Sequence, residues 1–219
     1  LDVRAVESVN NVLRQHEEWF PGFTDAVINK FVTQQSYPGV PGALASASMP
    51  NGLAHNFPEL TKSQITLYRH YWSENEEETI ASTRYGSISQ EWFSVNVDKV
   101  ATEHGMDTFT ASAHATVTHE FGHAIINKIG TTAGVKFDPE FLEGVKDILI
   151  ANDAWDETKG QPLNSAVARE VSKYGASNIH ELLAESWASY VLSSQPTELV
   201  EDIGRYMEEK LTEFMKGQN

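Results

Sequence analysis

The stretch THEFGH, residues 118–123, contains two histidines four positions apart, with a glutamate directly after the first. On an α-helix, residues four apart lie on one face, so His119 and His123 can reach one metal ion. Glu120 is rotated by about 100° from His119 and flanks such an ion, where it can take a proton from a water. The motif is typical of zinc peptidases, and the alternative is a helix with two partly buried histidines.

The surrounding sequence predicts that the motif lies in a long helix. Residues 108–129 carry apolar and small residues at helical spacing. Gly122 lies inside this pattern, although glycine costs about 1 kcal/mol in a helix interior relative to alanine. A missing side chain at this position would allow a neighbouring element to approach closely.

A catalytic zinc site needs a third protein ligand and an open fourth position. An extension of HExxH that supplies a third histidine is excluded, because positions 126 and 129 are both isoleucine. The downstream candidates are His180, Glu181 and Glu185. Glu181 and Glu185 share a helical face, so one can bind zinc while the other accepts the outer N–H of a ligating histidine. His180 lies on a different face, where the ordinary interpretation is a surface or capping histidine.

Two segments together resemble one family. The segments HEFGHAI (119–125) and YGASNIHELLAESWASY (174–190) are similar to the catalytic domain of the anthrax lethal factor-like zinc metallopeptidases, which are gluzincins. Phage-encoded metallopeptidase and minor head protein domains carry similar pairs. The resemblance covers about residues 105–195, and the pair of segments is specific where either one alone is not. It implies a zincin-like fold and a bound Zn²⁺.

The resemblance also implies a role for each residue that matches the family's motifs. The zinc ligands are then His119, His123 and Glu181. Glu120 is the general base that activates a zinc-bound water, and Glu185 accepts a hydrogen bond from His119.

Tyr174 and Asn178 match further positions of the family's motif. Tyr174 corresponds to the tyrosine whose hydroxyl stabilises the developing oxyanion, and its alternative is a packing residue at a helix end. Asn178 is predicted to cap the helix that carries the third ligand. One departure is the distance of 58 positions from His123 to Glu181. It far exceeds that of the thermolysin-like gluzincins and argues against close kinship with them.

The order of predicted elements indicates an α+β protein with one domain, residues 1–219. In residues 1–107 we expect strands and helices together, and the strands are predicted at 43–48, 64–72 and 91–97. The segment 43–48 is the candidate edge strand of a small mixed sheet over the HExxH helix. Residues 108–219 are expected to be mostly helical, with helices at 108–129, 139–153, 162–175, 178–194 and 196–216.

The composition excludes several classes of protein. The chain has 16 basic and 31 acidic side chains among 219 residues and a net charge of −15, which argues against nucleic acid and anionic membrane surfaces as partners. It contains no cysteine, so disulfides and cysteine–zinc sites are excluded. It also contains no apolar run as long as a membrane span. We expect a soluble protein, secreted or associated with a virion. The start at Leu1 is typical of a processed form or of a domain from a larger polypeptide.

The leading functional hypothesis is a zinc-dependent endopeptidase acting on a peptide or protein that lies extended along the edge strand. A second hypothesis is a zincin-fold binding or structural domain of a phage virion or toxin with little turnover, against which the intact motif argues. A third is an acidic mimic of nucleic acid, which only the net charge supports. Metal analysis and a peptide-cleavage screen separate the three.

Overall fold

The structure, a computed structural model, describes residues 1–34, 45–48, 62–68, 72, 93–132 and 136–217. Its α-helices are α1 (Val3–Trp19), α2 (Phe23–Val27), α3 (Val97–His104), α4 (Thr108–Ile125), α5 (Pro139–Ala151), α6 (Asn164–Glu170), α7 (Ile179–Leu192) and α8 (Glu198–Lys216). A π-helical turn (Ile126–Gly130) continues α4, and a 3₁₀ turn (Gly175–Ser177) precedes α7. The strands are β1 (Ile28–Gln34), β2 (Ala45–Ser48), β3 (Ser63–Tyr68), β4 (Thr131–Thr132), β5 (Lys136–Phe137), β6 (Trp155–Asp156) and β7 (Gln161–Pro162). The predicted α+β class is confirmed.

The main sheet is small and mixed. Its strand order is β1–β3–β2, with β1 parallel and β2 antiparallel to the central strand β3. Ile65 in β3 is paired with Phe31 on one side and Ala47 on the other. The strands predicted at 43–48 and 64–72 are found as β2 and β3, and positions 43–44 and 69–71 lie outside the described residues. Among the described strands, β2 forms one edge of this sheet.

The strand predicted at 91–97 is wrong for the part that the structure describes. Residues 93–95 form bends, and α3 begins at Val97. The side chain of Asn96 caps this helix by accepting a hydrogen bond from the N–H of Lys99 at 3.0 Å. Val95 and Val97 are nevertheless buried, because they pack with α3 against the small residues of α4 and α7. The apolar alternation therefore reflects burial at a helix start.

The second half of the chain follows the predicted helices closely, with two additions. Two-residue antiparallel ribbons, β4–β5 and β6–β7, connect α4 to α5 and α5 to α6. The helix predicted at 162–175 is shorter, since α6 ends at Glu170 and is followed by the 3₁₀ turn. In the described part of the chain, no helix combines the length and the apolarity that crossing a membrane requires.

Helix α4 lies in the middle of the molecule and is buried along almost its whole length. It contacts α1, α3, α7 and the sheet strands β2 and β3. Helix α7 approaches α4 closely at Gly122, because a Cβ atom there would lie 2.9 Å from Cα of Ala184 and 3.2 Å from Cβ of Trp187. The expected close approach of a neighbouring element is therefore present. It brings the helix that carries Glu181 and Glu185 against the HExxH motif.

Helix α1 covers α4 and reaches α7 through one buried histidine. His16 is fully buried, and its Nε2 accepts a hydrogen bond from the indole N–H of Trp187 at 3.1 Å. Because the indole can only donate, the proton of the neutral ring lies on Nδ1, which is 2.9 Å from the carbonyl oxygen of Val12. Phe23 and Phe121 pack around the same ring. The neutral histidine thereby ties the first helix to the seventh.

Candidate metal centre

Helix α4 presents His119 and His123 side by side, one turn apart. The centroids of the two imidazole rings are 4.7 Å apart and the ring planes are nearly perpendicular. Their side chains are 9% and 16% exposed, so both rings are largely buried but still reach solvent. This is the arrangement that the four-residue spacing predicts.

The carboxylate of Glu181 meets both rings from α7. Its Oε2 lies 3.2 Å from Nε2 of His119 and 3.3 Å from Nε2 of His123. Asn178 begins this helix, and its side chain accepts a hydrogen bond from the N–H of Glu181 at 3.0 Å, as expected of an N-cap. One ligand atom from each of His119, His123 and Glu181 lies within 4.8 Å of the others.

These separations fit a tetrahedral zinc ion. Zinc bonds to nitrogen and oxygen are about 2.0–2.2 Å long, so two ligand atoms of a tetrahedral site are about 3.3–3.5 Å apart. The contacts between Glu181 and the two rings do not have hydrogen-bond geometry, and within the described residues its buried Oε2 has no hydrogen-bond partner. A buried carboxylate oxygen without a partner is costly, and a cation between the three atoms would satisfy it. The donor set of two imidazoles and one carboxylate is the set that catalytic zinc uses.

The electrostatics of the cluster also favour a cation. Burial lowers the pKa of His119, but the carboxylates of Glu181 and Glu185 more than offset this and hold the pKa well above its usual range. Burial raises the pKa of Glu181, but the two imidazoles reverse this and hold it far below its usual range. Without a metal, the cluster thus stabilises a proton on an imidazole beside a carboxylate. A divalent ion in the same place carries more positive charge than that proton.

Glu120 lies beside the cluster. The residue is buried, and burial raises the pKa of its carboxyl group, while the nearby His123 and His119 rings lower it. The backbone of Ala47, in the edge strand β2, also lowers this pKa, so β2 lies close to the carboxyl group. Its Oε2 has no partner among the described residues and is free to accept a proton.

Tyr174 lies next to His119. Its ring stacks on the His119 imidazole with a centroid distance of 6.0 Å, and Phe93 contacts it edge-on at 5.6 Å. Burial and the nearby carboxylate of Glu181 raise the pKa of Tyr174, so the hydroxyl stays protonated as a donor. Tyr174 is therefore placed beside the candidate ligand His119.

Glu185 lies behind His119, away from the opening. Its Oε1 is 2.8 Å from Nδ1 of His119, and the residue is 1% exposed. A carboxylate in this position can orient the ring with Nε2 toward Glu181. The contact expected between Glu185 and His119 is present, although among the described residues Nδ1 of His119 makes no hydrogen bond of regular geometry. The structure also distinguishes the two acidic residues of α7, which helical spacing alone leaves equivalent.

His180 stays out of the cluster. Its ring is half-buried and lies 4.4 Å from the ring of Phe137 in β5, so it packs as part of a wall beside the site. It does not cap α7, because Asn178 does.

Two serines that the sequence does not single out complete the surroundings of Glu185. Oε2 of Glu185 accepts hydrogen bonds from the N–H of Ser94 at 2.6 Å and from the hydroxyl of Ser172 at 3.0 Å. The hydroxyl of Ser94 donates to the carbonyl oxygen of Glu185 at 2.7 Å. Ser94 is 91 positions away in sequence and carries no motif, whereas Ser172 lies two positions before Tyr174, where a signal could have been sought.

Comparisons of the chain with protein-family models, with curated proteins and with solved structures give no match. The similarity to lethal factor-like peptidases therefore depends on the two sequence segments, and the chemistry of the site depends on the distances above.

Proposed function

We propose that this protein is a zinc-dependent endopeptidase with a zincin-like fold. The observation that carries the proposal is one carboxylate oxygen, without a hydrogen-bond partner among the described residues, that lies 3.2 and 3.3 Å from two imidazole nitrogens, as in a tetrahedral zinc site. A buried carboxylate, Glu120, and a protonated phenol, Tyr174, lie near these atoms. Ligands, base and hydrogen-bond donor are the parts that hydrolysis of an amide requires.

The residues of the site divide the reaction between them. His119, His123 and Glu181 would hold the zinc ion, which when bound would supply a Lewis acid for the carbonyl and make a water acidic near neutral pH. Glu120 accepts a proton from the attacking water and delivers it to the leaving amine, so that water adds across the C–N bond and the base is regenerated. The hydroxyl of Tyr174 donates a hydrogen bond to the carbonyl oxygen as negative charge develops there.

The edge strand β2 supports a peptide as the substrate. It is antiparallel to β3 at an edge of the described sheet, and it contacts α4. Since the backbone of Ala47 is close enough to lower the pKa of the Glu120 carboxyl group, β2 passes near the proposed base. An extended peptide that pairs with this edge brings its backbone carbonyls to the site, as in other proteins that bind peptides by strand addition.

The test combines metal analysis with a degenerate peptide library. We expect about one zinc per chain and zinc-dependent cleavage by the parent protein. Glu120→Gln should keep its zinc and lose about 10²–10⁴-fold in cleavage rate, because it removes the base and leaves all three ligands. Glu143→Gln, at an exposed carboxylate on α5, is the matched control and should cleave at the parent rate.

Each outcome of this test has a distinct meaning. Protein that retains no transition metal ends the zinc hypothesis. Protein that holds zinc but cleaves no peptide supports the alternative of a binding domain. A Glu120→Gln variant that cleaves as fast as the parent protein shows that Glu120 is not the base.

A further inference from the structure

The hydroxyl of Ser172 connects two parts of the site. Ser172 lies between α6 and the 3₁₀ turn and is 2% exposed. Its Oγ donates a hydrogen bond to Oε2 of Glu185 at 3.0 Å and accepts one from the N–H of Gly175 at 2.8 Å. A single buried hydroxyl therefore uses both its donor and an acceptor position, one toward α7 and one toward its own turn.

The bond to Gly175 closes the turn around Tyr174. Two backbone bonds reinforce it, from the N–H of Ala176 to the carbonyl of Ser172 at 3.1 Å and from the N–H of Ser177 to the carbonyl of Tyr174 at 3.0 Å. Tyr174 lies between Ser172 and Gly175, inside the turn that this bond closes. The position of its ring over His119 is thus set by a turn whose shape depends on that hydroxyl.

The bond to Glu185 anchors the same turn to the metal ligands. One oxygen of the Glu185 carboxylate is 2.8 Å from Nδ1 of His119, and the other accepts from Ser172. The buried carboxylate of Glu185 therefore contacts both the His119 ring and the turn that contains Tyr174. Loss of the Ser172 hydroxyl would leave Glu185 with the N–H of Ser94 on that oxygen and remove the hydrogen bond from the turn to Glu185 of α7.

We propose that Ser172 is a positioning residue of this site, which holds Tyr174 over His119 by linking its turn to Glu185. The zinc and kinetic measurements rest on the proposed function, and the first measurement, on metal-free protein, does not. A serine that merely caps the 3₁₀ turn would need the bond from Gly175 alone. The two roles make different predictions. If Ser172 positions Tyr174, substitutions at Ser172 alter the environment of the Tyr174 ring, and their effect on zinc binding depends on Glu185.

The first measurement is the position of the Tyr174 ring in metal-free protein. The chain is labelled with 3-fluorotyrosine, and the ¹⁹F resonance of Tyr174 is assigned by its loss in Tyr174→Phe. We expect Ser172→Ala to shift this resonance toward that of the unfolded chain and Ser172→Thr, which keeps the hydroxyl, to restore it. Ser177→Ala removes an exposed hydroxyl from the same turn and should leave the resonance in place. An unmoved resonance in Ser172→Ala overturns the proposal.

The second measurement is zinc affinity in a double-mutant cycle with Glu185→Gln. Changes to groups behind a metal ligand typically cost 10–100-fold in affinity or activity. We expect Ser172→Ala to weaken zinc binding several-fold in the parent and to have little further effect in Glu185→Gln, because it acts through that carboxylate. Equal losses in both backgrounds show that Ser172 acts independently of Glu185, which contradicts the proposal.

The third measurement is turnover of a cleavable peptide. We expect Ser172→Ala to lower kcat with little change in KM and to add little to the loss in Tyr174→Phe. If the parent protein cleaves nothing, the proposed function fails while the fluorine and zinc results still decide the role of Ser172. If Ser172→Ala does not fold, Ser172→Cys, of similar size and weaker hydrogen bonding, gives the same comparisons, and parent-like values in that folded variant overturn the proposal.

Discussion

Glu181 and its neighbour His180 differ in what they face, and this difference can be measured. Glu181 directs Oε2 at both imidazoles, whereas His180 packs on Phe137. We expect Glu181→Ala to weaken zinc binding by more than the 10–100-fold typical of groups behind a ligand, and His180→Ala to change it little. A competitive chelator titration of both variants measures this. A larger loss in His180→Ala would move the third ligand to the histidine.

The hydroxyl of Tyr174 should matter for turnover and not for binding of the metal. Tyr174→Phe keeps the ring that stacks on His119, so we expect zinc affinity and folding to remain near the parent values. Removal of one donor to a developing oxyanion typically costs about 10²–10³-fold in kcat, with KM little altered. Steady-state kinetics on one cleavable peptide measure both constants.

Tyr190→Phe is the matched control for this experiment. Its hydroxyl donates to Glu208 on α8, so removing it affects no atom of the site. We expect turnover by Tyr190→Phe to equal that of the parent protein. A change below threefold in both constants for Tyr174→Phe would leave Tyr174 as a packing residue.

At the scale of elements, the contact between α4 and α7 depends on the absent side chain of Gly122. Alanine is favoured over glycine in a helix by about 1 kcal/mol, but a Cβ atom 2.9 Å from backbone of α7 forces the helices apart. Overpacking of this kind typically costs about 1–3 kcal/mol, which outweighs the helix propensity. We expect Gly122→Ala to lower the free energy of unfolding, and urea denaturation of metal-free protein measures it.

The same substitution should also weaken zinc binding, because it moves Glu181 away from the two histidines. Gly217→Ala is the matched control, since the nearest atom to its Cβ is a carbonyl oxygen 3.4 Å away. We expect Gly217→Ala to change neither property. Gly122→Ala with parent stability and parent zinc affinity would show that the two helices can separate without cost.

The elements that the sequence predicts best are the ones with local signals. The start of α7 is marked by Asn178, and the spacing of His119 and His123 needs only the helix itself. The segment 91–97 fails because alternating apolar residues also fit a helix start that is buried by other helices. Such a segment is buried by helices that lie far away in the sequence, and the periodicity of the segment carries no information about those helices.

At the scale of the whole molecule, the buried His16 makes folding sensitive to acid. Burial holds the pKa of His16 at about 4 in the folded protein, against about 6.5 when unfolded. Above pH 6.5 the ring is neutral in both the folded and the unfolded state, and its contribution to the free energy of unfolding is fully present. As pH falls from 6.5 toward 4, the unfolded chain takes up the proton and the folded one does not, so stability is lost.

The loss amounts to about 2 kcal/mol between pH 7 and pH 5, from 1.36 kcal/mol for each unit of pKa. Glutamine does not titrate, so in His16→Gln we expect the drop in the free energy of unfolding from pH 7 to pH 5 to be smaller by about this amount. Urea unfolding at the two pH values measures it. His104→Gln, at an exposed histidine, should keep the loss of the parent protein. Equal pH dependence in His16→Gln and the parent protein would assign the acid sensitivity to other groups.

The site is predictable from the sequence to the extent that its residues are joined by short spacings. His119, Glu120 and His123 lie within one turn, and Glu181 and Glu185 within another, so each group carries its own pattern. The bond from Ser94 to Glu185 spans 91 positions and appears only when the helices have met. The resemblance of the two segments to one family predicts that the HExxH residues and the two glutamates of α7 form one site. Spacing within each segment does not predict this.

The hydrogen bond between His16 and Trp187 joins residues 171 positions apart, which bears on when the candidate site is completed during synthesis. A chain made from its amino end contains both histidines of α4 well before α7 exists. Contacts of such long range form late, after the intervening chain has been closed into place. The candidate ligand set is therefore incomplete until α7 has packed on α4. Under the proposed peptidase activity, the order of assembly alone would keep the growing chain and its neighbours from cleavage until then.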